Sequence, residues 1–389
     1  MTMPSWSAVN CSLEVHYNEV CDPNLLRLRR AVYLLDLYLL PVIIFLGMIG
    51  NILSFLVFCC TYLRRMSSSV YLAALSVSDF VFLFALFFTW ITTLDINVVS
   101  MNGLCQFLIY LTYVASFLSV WYVVCFTVER HLSVCFPLLR QRLCQPRRAK
   151  IVVLVLSILG MIIYNFALWT SVVTDVYGHS QCIVDDRYFD VVITINNIDT
   201  LVTLVVPALV ITVSNIRISY ALSKFYRFYR TRCSAERLNS NSGSSLSSDC
   251  STLYSNSSYN RLQMKVTKML LLVSSVFLLC NIPSHLIRVY AFARSRNDVN
   301  YSPSRTLLLI QRLAMLLYYA GFSTNVVLYS VSGKTFRLAF VRLFHCLAHR
   351  AVSFFCARFV RSRSRFADAD AKHMFRFQNR APPYCAAYN

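Results

Sequence analysis

Residues 122–137 read YVVCFTVERHLSVCFP, a mostly apolar stretch that places Glu129 and Arg130 side by side near its end. The stretch belongs to a longer apolar segment over 104–135, and the whole chain has the same character. Of its 389 residues, 57% are hydrophobic and 14% are charged, and the mean hydropathy is +0.56. An ordinary soluble domain is less apolar than this. The chain is therefore predicted to lie in a lipid bilayer.

Seven segments are long enough to cross a membrane. A hydrocarbon core of about 30 Å needs about 20 apolar residues in helical conformation. Segments of this length, which we number spans one to seven, lie at 35–62, 68–93, 104–135, 149–174, 191–223, 263–293 and 305–330. The sequence therefore predicts an all-α integral membrane protein, built as a bundle of seven transmembrane helices.

The positive charge of the chain, formally +20, is distributed unevenly around these spans. Of the 37 Lys and Arg residues, 23 fall in the loops after spans one, three and five and in the last tail, against 6 in the first tail and the other loops. The positive-inside rule therefore predicts an extracellular N-terminus and a cytoplasmic C-terminus. Attraction to anionic lipid of the inner leaflet explains the basic charge better than nucleic-acid binding does.

Four of the 15 cysteines face the oxidising side in this orientation, namely Cys11, Cys21, Cys105 and Cys182. Four cysteines allow three pairings, of which we favour Cys105 with Cys182, leaving Cys11 with Cys21. On the same side, Asn10 in the sequon NCS is a predicted glycosylation site.

Ionisable residues inside a bilayer are costly, so each one marks a candidate functional position. The candidates chosen within the spans are Asp79, Glu129, Arg130, Asp199, Arg217, Lys268, Arg288 and Arg312. Arg217 and Lys268 are near enough to the cytosol for their side chains to extend to the headgroups, whereas Asp79 needs a partner within the bundle. Glu129 and Arg130 point about 100° apart on a helix. A purely structural ion pair is the alternative interpretation of these two residues.

The chain resembles the rhodopsin-like (class A) family of G-protein-coupled receptors over residues 34–347, because a series of matching fragments occurs in order. These are GN at 50–51, LSVSD at 75–79, Cys105, ERH at 129–131, Pro207, FLLCNIP at 277–283, NVVLY at 325–329 and SGKTFR at 332–337. Within the family, CNIPSH, VVPALVITVSNIRI and LYSVSGKTFR are similar to invertebrate neuropeptide receptors, near those for thyrotropin-releasing-hormone-like and FMRFamide-like peptides.

The resemblance implies a receptor domain over 34–347 that ends in an amphipathic eighth helix on the membrane surface. An extracellular tail over 1–33 precedes it and a cytoplasmic tail over 348–389 follows. The Ser- and Asn-rich run RLNSNSGSSLSSDCSTLYSNSSYN predicts a disordered third cytoplasmic loop over 224–262. Cys346 and Cys356 are candidate palmitoylation sites.

The resemblance also implies an activation switch, formed by Glu129, Arg130, Phe277, Asn281, Pro283, Asn325 and Tyr329. In this switch Glu129 holds Arg130 in the inactive state, and an outward movement of span six lets Arg130 meet a G protein. A second implied site is the sodium pocket, where Asp79, Ser119 and Asn325 match the family pattern. Gly321 offers no side-chain oxygen where the family often has an Asn.

The chain departs from the family pattern at four positions within the spans. Ser157 replaces a Trp in span four, Asn215 a Tyr in span five, Asn281 the switch Trp in span six and Val326 a Pro in span seven. Without the Pro, the seventh helix is expected to keep a backbone hydrogen bond and to kink less.

The outer halves of the spans carry the ligand prediction. Above Glu129, span three has no carboxylate of the kind that aminergic receptors use, and Thr112 occupies the matching region. The absence of Lys from 305–330 excludes an opsin. The candidate ligand-binding residues are Thr112, Asn196, Asp199, Arg288, Gln311 and Tyr319, a polar ring suited to a peptide with a polar or amidated end. Extension of Arg288 and Arg312 to outer headgroups is the alternative.

We therefore predict a plasma-membrane receptor, not an enzyme, that binds an extracellular peptide and acts on a heterotrimeric G protein. Arrestin, receptor kinases and membrane lipid are further expected partners, and no cofactor is expected apart from an allosteric sodium ion. The alternatives are a constitutively active receptor, a receptor for a non-peptide ligand, and a proton-coupled transporter that uses Asp79, Asp199 and Arg130.

Overall fold

The computed structural model describes residues 23–94, 96, 99, 101–176, 179–239, 267, 270–291, 293–294, 304–334 and 336–345. The predictions for Asn10, Cys11, Cys21, Cys346, Cys356 and the 348–389 tail lie outside these residues. Seven helices of the described part are long and apolar enough to cross a membrane, as predicted. They are Arg27–Cys60, Ser67–Leu94, Leu104–Cys135, Pro146–Thr170, Asp186–Lys224, Leu270–Ala291 and Arg305–Ser323.

Span one begins earlier than predicted. An α-helix over Pro23–Leu34 continues through a π-helical turn, Leu35–Leu39, into the α-helix Leu40–Cys60. Residues 23–33, predicted as part of the N-terminal tail, are therefore helical. The reason is local, because Pro suits the first turn of a helix and the following Leu- and Arg-rich residues favour helix.

Span five extends well beyond its predicted end. A 3₁₀ turn, Asp186–Tyr188, leads into the α-helix Phe189–Thr200, the π-helical turn Leu201–Val205 and the α-helix Val206–Asn239. The prediction of a disordered loop over 224–262 is thus wrong for 224–239, where KFYRFYRTRCSAERLN continues the helix without Gly or Pro. The π turn precedes Pro207, which has no N–H to donate to the preceding turn.

The loop between spans four and five forms a β-hairpin that the sequence analysis did not predict. Strand β1, Ser171–Val176, pairs antiparallel with β2, His179–Val184. The β-branched run SVVT suits a strand, although it had been assigned to the end of span four. A disulfide joins Cys182 of β2 to Cys105 of span three, with 5.8 Å between their Cα atoms, as favoured from the sequence.

Spans two and four each end in short helical turns, and the remaining connections are short helices. Span two consists of the α-helix Ser67–Ile91 and the 3₁₀ turn Thr92–Leu94, and span four consists of Pro146–Ile163, the 3₁₀ turn Tyr164–Phe166 and Ala167–Thr170. A 3₁₀ turn, Tyr62–Arg65, connects spans one and two, and an α-helix, Pro137–Leu143, follows span three. Residues 336–345 after span seven are also helical.

Span seven is interrupted at Thr324, between the α-helices Arg305–Ser323 and Asn325–Ser332. The seventh helix is thus interrupted even without a Pro at 326, and the smaller kink expected from the sequence stays a prediction. Three side-chain donors explain the interruption, because they bond to the carbonyls of this turn. Asn51 Nδ2 donates to Phe322 O at 2.9 Å, Ser323 Oγ to Ala320 O at 2.9 Å and Thr324 Oγ1 to Gly321 O at 3.2 Å.

Spans one and seven approach each other closely at two glycines. A Cβ at Gly47 would lie 2.6 Å from Ser323 Cβ, and a Cβ at Gly50 would lie 2.5 Å from Val326 Cγ1. Glycine is therefore needed at both positions because the facing side chains fill the space that any other residue would use.

Candidate activation and ligand-binding sites

Glu129 is held by three donors at one end of the bundle. Its Oε1 accepts hydrogen bonds from Ser67 Oγ at 2.8 Å and Ser68 Oγ at 2.7 Å, and Arg130 Nη2 lies 3.3 Å away. Both charged residues are buried. Ser67 and Ser68 begin span two, so the carboxylate also lies at the positive end of that helix dipole. The pair predicted from the sequence is thus part of a network that connects spans two and three.

Tyr329 lies close to the same end of the bundle and is completely buried. Its ring packs against Phe58 of span one at 5.3 Å and against Phe336 of the following helix at 5.5 Å, measured between ring centroids. Its hydroxyl has no hydrogen-bond partner among the described residues. A buried hydroxyl without a partner is unfavourable, so a rearrangement that supplies one is favoured.

The residues of the predicted sodium pocket lie together in the middle of the bundle. Ser119 Oγ donates to Asp79 Oδ1 at 2.6 Å, and Asn325 Nδ2 donates to Asp79 Oδ2 at 2.5 Å. Asp79 is fully buried. At Gly321, the space that a side chain would use faces Cys280 Cβ, 3.2 Å from an ideal Cβ. The oxygen atoms available to a hard cation are thus those of Asp79, Ser119 and Asn325.

In span six, Asn281 bonds to its own helix. Its Nδ2 donates to Phe277 O at 2.7 Å, and its buried Oδ1 has no partner within the described part of the chain. A second polar contact, between Asn215 Nδ2 and Ser274 Oγ at 2.9 Å, joins spans five and six. Hydrogen bonds therefore take the place of the aromatic residues that the sequence lacks at 215 and 281.

The ligand-binding prediction falls on a group of tyrosines near the outer ends of spans three, four and five. Tyr113 donates from its hydroxyl to Asn196 Oδ1 at 2.8 Å, and Tyr164 donates to Asp199 Oδ1. The two tyrosine rings stack with centroids 5.5 Å apart. Asn196 and Asp199 thus belong to one group of contacts, in which both already accept a hydrogen bond from within the protein, and their part in ligand binding stays a prediction.

Arg288 of span six lies near this group of tyrosines. It lies close enough to Asp199, Tyr113 and Tyr318 to interact with each electrostatically. Within the described residues its guanidinium makes no hydrogen bond or ion pair, so its donors are available. Below it, Tyr318 shares a hydrogen bond of 2.8 Å with Ser116, and the ring of His285 lies 6.1 Å from that of Tyr318.

The remaining ligand candidates have different environments. Thr112 Oγ1 donates to Leu108 O at 2.8 Å, so its hydroxyl hydrogen is used within its own helix. Gln311 is half-buried. Tyr319 packs against Phe82, with centroids 6.1 Å apart, and interacts electrostatically with Arg312 and Asp36.

Sequence reasoning missed three kinds of residue at these sites. Ser67 and Ser68 were overlooked as partners of Glu129, although the run SSS at the start of a span was a visible signal. Tyr164 is an isolated polar ring within the apolar run GMIIYNFAL. Asp36, within the π-helical turn of span one, is an ionisable residue in a span and met the criterion applied to the others.

Comparison with known proteins agrees with this architecture. The chain matches the family described as 7 transmembrane receptor (rhodopsin family) over residues 50–325. It is 28% identical over 321 residues to the thyrotropin-releasing hormone receptor of Bos taurus, which covers 77% of this chain and 75% of that protein. Two similarities are shorter. The chain is 34% identical over 132 residues to the FMRFamide peptide receptor frpr-18 of Caenorhabditis elegans, which covers 32% of this chain and 30% of that protein. It is 30% identical over 107 residues to lysophosphatidic acid receptor 6 of Homo sapiens, which covers 28% of this chain and 31% of that protein.

The seven spans and the match over most of them define a multi-pass membrane protein of the receptor class. The chain belongs to the rhodopsin family of seven-transmembrane receptors. It is therefore a G-protein-coupled receptor and not an enzyme, as the sequence predicted.

Proposed function

We propose that this receptor lies in the plasma membrane with its N-terminus outside the cell, binds an extracellular peptide, and transmits binding to a heterotrimeric G protein. Two observations support the orientation. Most Lys and Arg residues lie in the segments assigned to the cytosol. The disulfide between Cys105 and Cys182 lies at the opposite face, and disulfides persist in oxidising compartments.

The available guanidinium of Arg288 is the observation that carries the ligand proposal. It lies close enough to Asp199 and Tyr113 to interact with them electrostatically, and Asn196 and Asp199 already accept hydrogen bonds from Tyr113 and Tyr164. A ligand that offers carbonyl or carboxylate oxygens supplies what Arg288 lacks, and a peptide has such an oxygen at every residue. Two of the relatives are named as receptors for peptides, thyrotropin-releasing hormone and FMRFamide, which favours a peptide over a lipid.

The test is the calcium and cyclic-AMP response of cells that express the receptor to a panel of short amidated peptides. Arg288→Ala is expected to shift a saturable response to higher peptide concentration by about tenfold or more, because it removes charge-assisted hydrogen bonds. Arg288→Lys keeps the charge but not the planar donors, so it should recover part of the potency.

Tyr290→Ala is the matched control, because Tyr290 lies on span six at the same level and is 50% exposed. All variants are compared at equal surface expression. Equal loss in Arg288→Ala and Tyr290→Ala would contradict a specific role of Arg288. A response to lysophospholipids and to none of the peptides would replace the peptide by a lipid, in agreement with the partial similarity to lysophosphatidic acid receptor 6.

On the inner face, two features support coupling to a G protein. The first is the Glu129–Arg130 pair, whose contacts with Ser67 and Ser68 can be exchanged when the helices move. The second is Leu138 in the helix Pro137–Leu143, whose side chain is 90% exposed. A large apolar side chain so exposed at the cytoplasmic face is suited to contact with another protein.

A second candidate function is signalling without a ligand. Tyr329 OH and Asn281 Oδ1 are buried without hydrogen-bond partners among the described residues, and each such group destabilises this arrangement of the bundle. Measurement of G-protein activation by purified receptor in the absence of peptide tests this candidate. Activity that is lost in Arg130→Ala would support it, and silence without ligand would exclude it.

A further inference from the structure

Two residues of opposite charge, Asp36 of span one and Arg312 of span seven, lie in the outer part of the bundle without a direct partner. Among the described residues, neither of them makes a hydrogen bond or an ion pair. Both are half-buried, and they are close enough to interact with each other electrostatically. A carboxylate and a guanidinium are therefore near each other, and each is available to a ligand.

The packing of the two helices places both residues at one junction. Leu40 of span one and Leu316 of span seven are buried in the same apolar core. Asp36 precedes Leu40 by four residues, and Arg312 precedes Leu316 by four. Residues four apart lie on one face of a helix, about 6 Å apart along its axis. Asp36 and Arg312 therefore lie about one turn beyond this core, on the outer side of the junction between spans one and seven.

Two further hydrogen-bond donors without partners lie at the same core. Trp90 Nε1 of span two is buried and has no partner in the described part of the chain. The hydroxyl of Tyr319 makes no hydrogen bond to a described residue either. Both side chains pack against the core that contains Leu40 and Leu316. Because a buried donor without a partner is unfavourable, the junction favours a ligand that supplies acceptor oxygens.

These groups define the chemistry of the ligand. A carboxylate without a partner binds a cation, and guanidinium, indole and phenol groups donate hydrogen bonds to oxygen. A ligand with only a cation or only an oxygen acceptor would leave one of the two charged residues unpaired, which is unfavourable. The N-terminal residue of a peptide offers both groups, because its ammonium and its carbonyl are joined through a single Cα atom.

We propose that this junction binds the free N-terminal residue of the peptide, with its ammonium group at Asp36 and its first carbonyl oxygen at Arg312. The inference rests on the proposed function as a peptide receptor and adds the direction in which the peptide lies. Arg288 of span six, which is also close enough to Tyr319 to interact electrostatically, then meets an oxygen further along the peptide.

The first experiment compares each peptide of the panel with its N-terminally acetylated form in the calcium and cyclic-AMP assays. Acetylation removes the positive charge and should lower potency at the wild-type receptor about tenfold or more. In Asp36→Asn the free and acetylated forms should become nearly equal. Arg312→Gln should weaken both forms by a similar factor, because both contain the carbonyl.

Asp190→Asn is the matched control, because it removes the same charge from an exposed position near the outer end of span five. It should preserve the difference between the two forms of the peptide. The ratio of their potencies is the readout, since general damage to the receptor would affect both forms alike. Equal potency of the free and acetylated forms at the wild-type receptor would overturn the proposal.

The second experiment does not depend on an agonist. Thermal unfolding of the purified receptor is measured with phenylalaninamide, N-acetylphenylalaninamide and phosphocholine. Phenylalaninamide should raise the unfolding temperature of the wild-type receptor and of Asp190→Asn, but not of Asp36→Asn, and its acetylated form should have no effect. Absence of stabilisation by phenylalaninamide would overturn the proposal. Equal stabilisation by phosphocholine would also overturn it, because the site would then belong to a lipid headgroup.

The two experiments separate this site from the proposed function. Stabilisation by phenylalaninamide through Asp36, with silence to every peptide, would contradict the peptide receptor and support the site. A peptide response that is weaker in Arg288→Ala but indifferent to acetylation would support the peptide receptor and contradict the site.

Discussion

The hydroxyl of Tyr164 donates a hydrogen bond to the carboxylate of Asp199 and thereby joins span four to span five near their outer ends. Tyr164 also stacks on Tyr113, whose own hydroxyl reaches Asn196. Tyr113 and Tyr164, which lie near Arg288, are therefore held in place by contacts within the protein. A site built in this way needs little reorganisation on binding, which favours affinity.

Tyr164→Phe removes this donor and leaves the buried Asp199 carboxylate without it. We expect a loss of about 1–3 kcal/mol in stability, seen as a lower temperature of thermal unfolding, together with weaker peptide binding. Tyr110→Phe is the control, because the hydroxyl of Tyr110 makes only an exposed contact with Met161 O at 3.3 Å. An equal loss of stability and peptide binding in both variants would contradict a specific contribution of the hydrogen bond between Tyr164 and Asp199.

The double variant Ser67→Ala with Ser68→Ala removes two donors to Glu129. Each hydrogen bond to a charged group contributes about 1.5–3 kcal/mol. The bonds from Ser67 and Ser68 to Glu129 therefore stabilise the helix arrangement in which they are present. We expect basal signalling to rise by about tenfold or more, measured as second-messenger level at equal surface expression. Ser76→Ala, which removes only a hydrogen bond to Leu72 O of the same helix, should leave basal signalling unchanged. Unaltered basal signalling in the double variant would contradict a restraining role of Ser67 and Ser68.

Asp79→Asn tests the proposed sodium site. We expect sodium at Asp79, Ser119 and Asn325 to stabilise the inactive arrangement, as the family resemblance implies, so agonist affinity of the unmodified receptor should fall as sodium replaces choline at constant ionic strength. In Asp79→Asn this dependence should disappear, because the site loses its charge. If sodium lowers affinity equally in both proteins, it acts elsewhere.

Leu138→Asp places a charge on the exposed apolar residue of the inner face. We expect G-protein activation by agonist to fall severalfold, because the contact must then desolvate a carboxylate, while agonist affinity of the uncoupled receptor stays the same. Leu138→Met preserves an apolar side chain of similar volume and should retain activity. Nucleotide exchange on purified G protein is the measurement, and normal exchange in Leu138→Asp would exclude the contact.

The sequence determined the bundle because apolar length alone identifies a membrane span. Span three was predicted over 104–135, and the structure has Leu104–Cys135. Boundaries failed where no change in hydrophobicity marks the end of a helix. The first helix starts at Pro23 and the fifth continues to Asn239, because helix propensity extends beyond the apolar segment at both places.

Contacts between spans were harder to predict than the spans themselves. The approach of Ser67 and Ser68 to Glu129 depends on how two helices rotate against each other, and the sequence of either helix does not contain that angle. The interruption at Thr324 likewise depends on Asn51, distant in sequence, which bonds to the carbonyl of Phe322. Asp79, Ser119 and Asn325 were placed together correctly because the family resemblance supplied their relation.

Because Gly50 and Val326 lie so close together, the residue tolerated at one of these positions depends on the residue at the other. The methyl group of an alanine at 50 would need the volume that Val326 now fills. Gly50→Ala is therefore expected to separate spans one and seven and to lower receptor yield, and Val326→Ala is expected to act as its suppressor. The two positions are thus expected to vary together, because the space between them accommodates a larger side chain at 50 or at 326 but not at both.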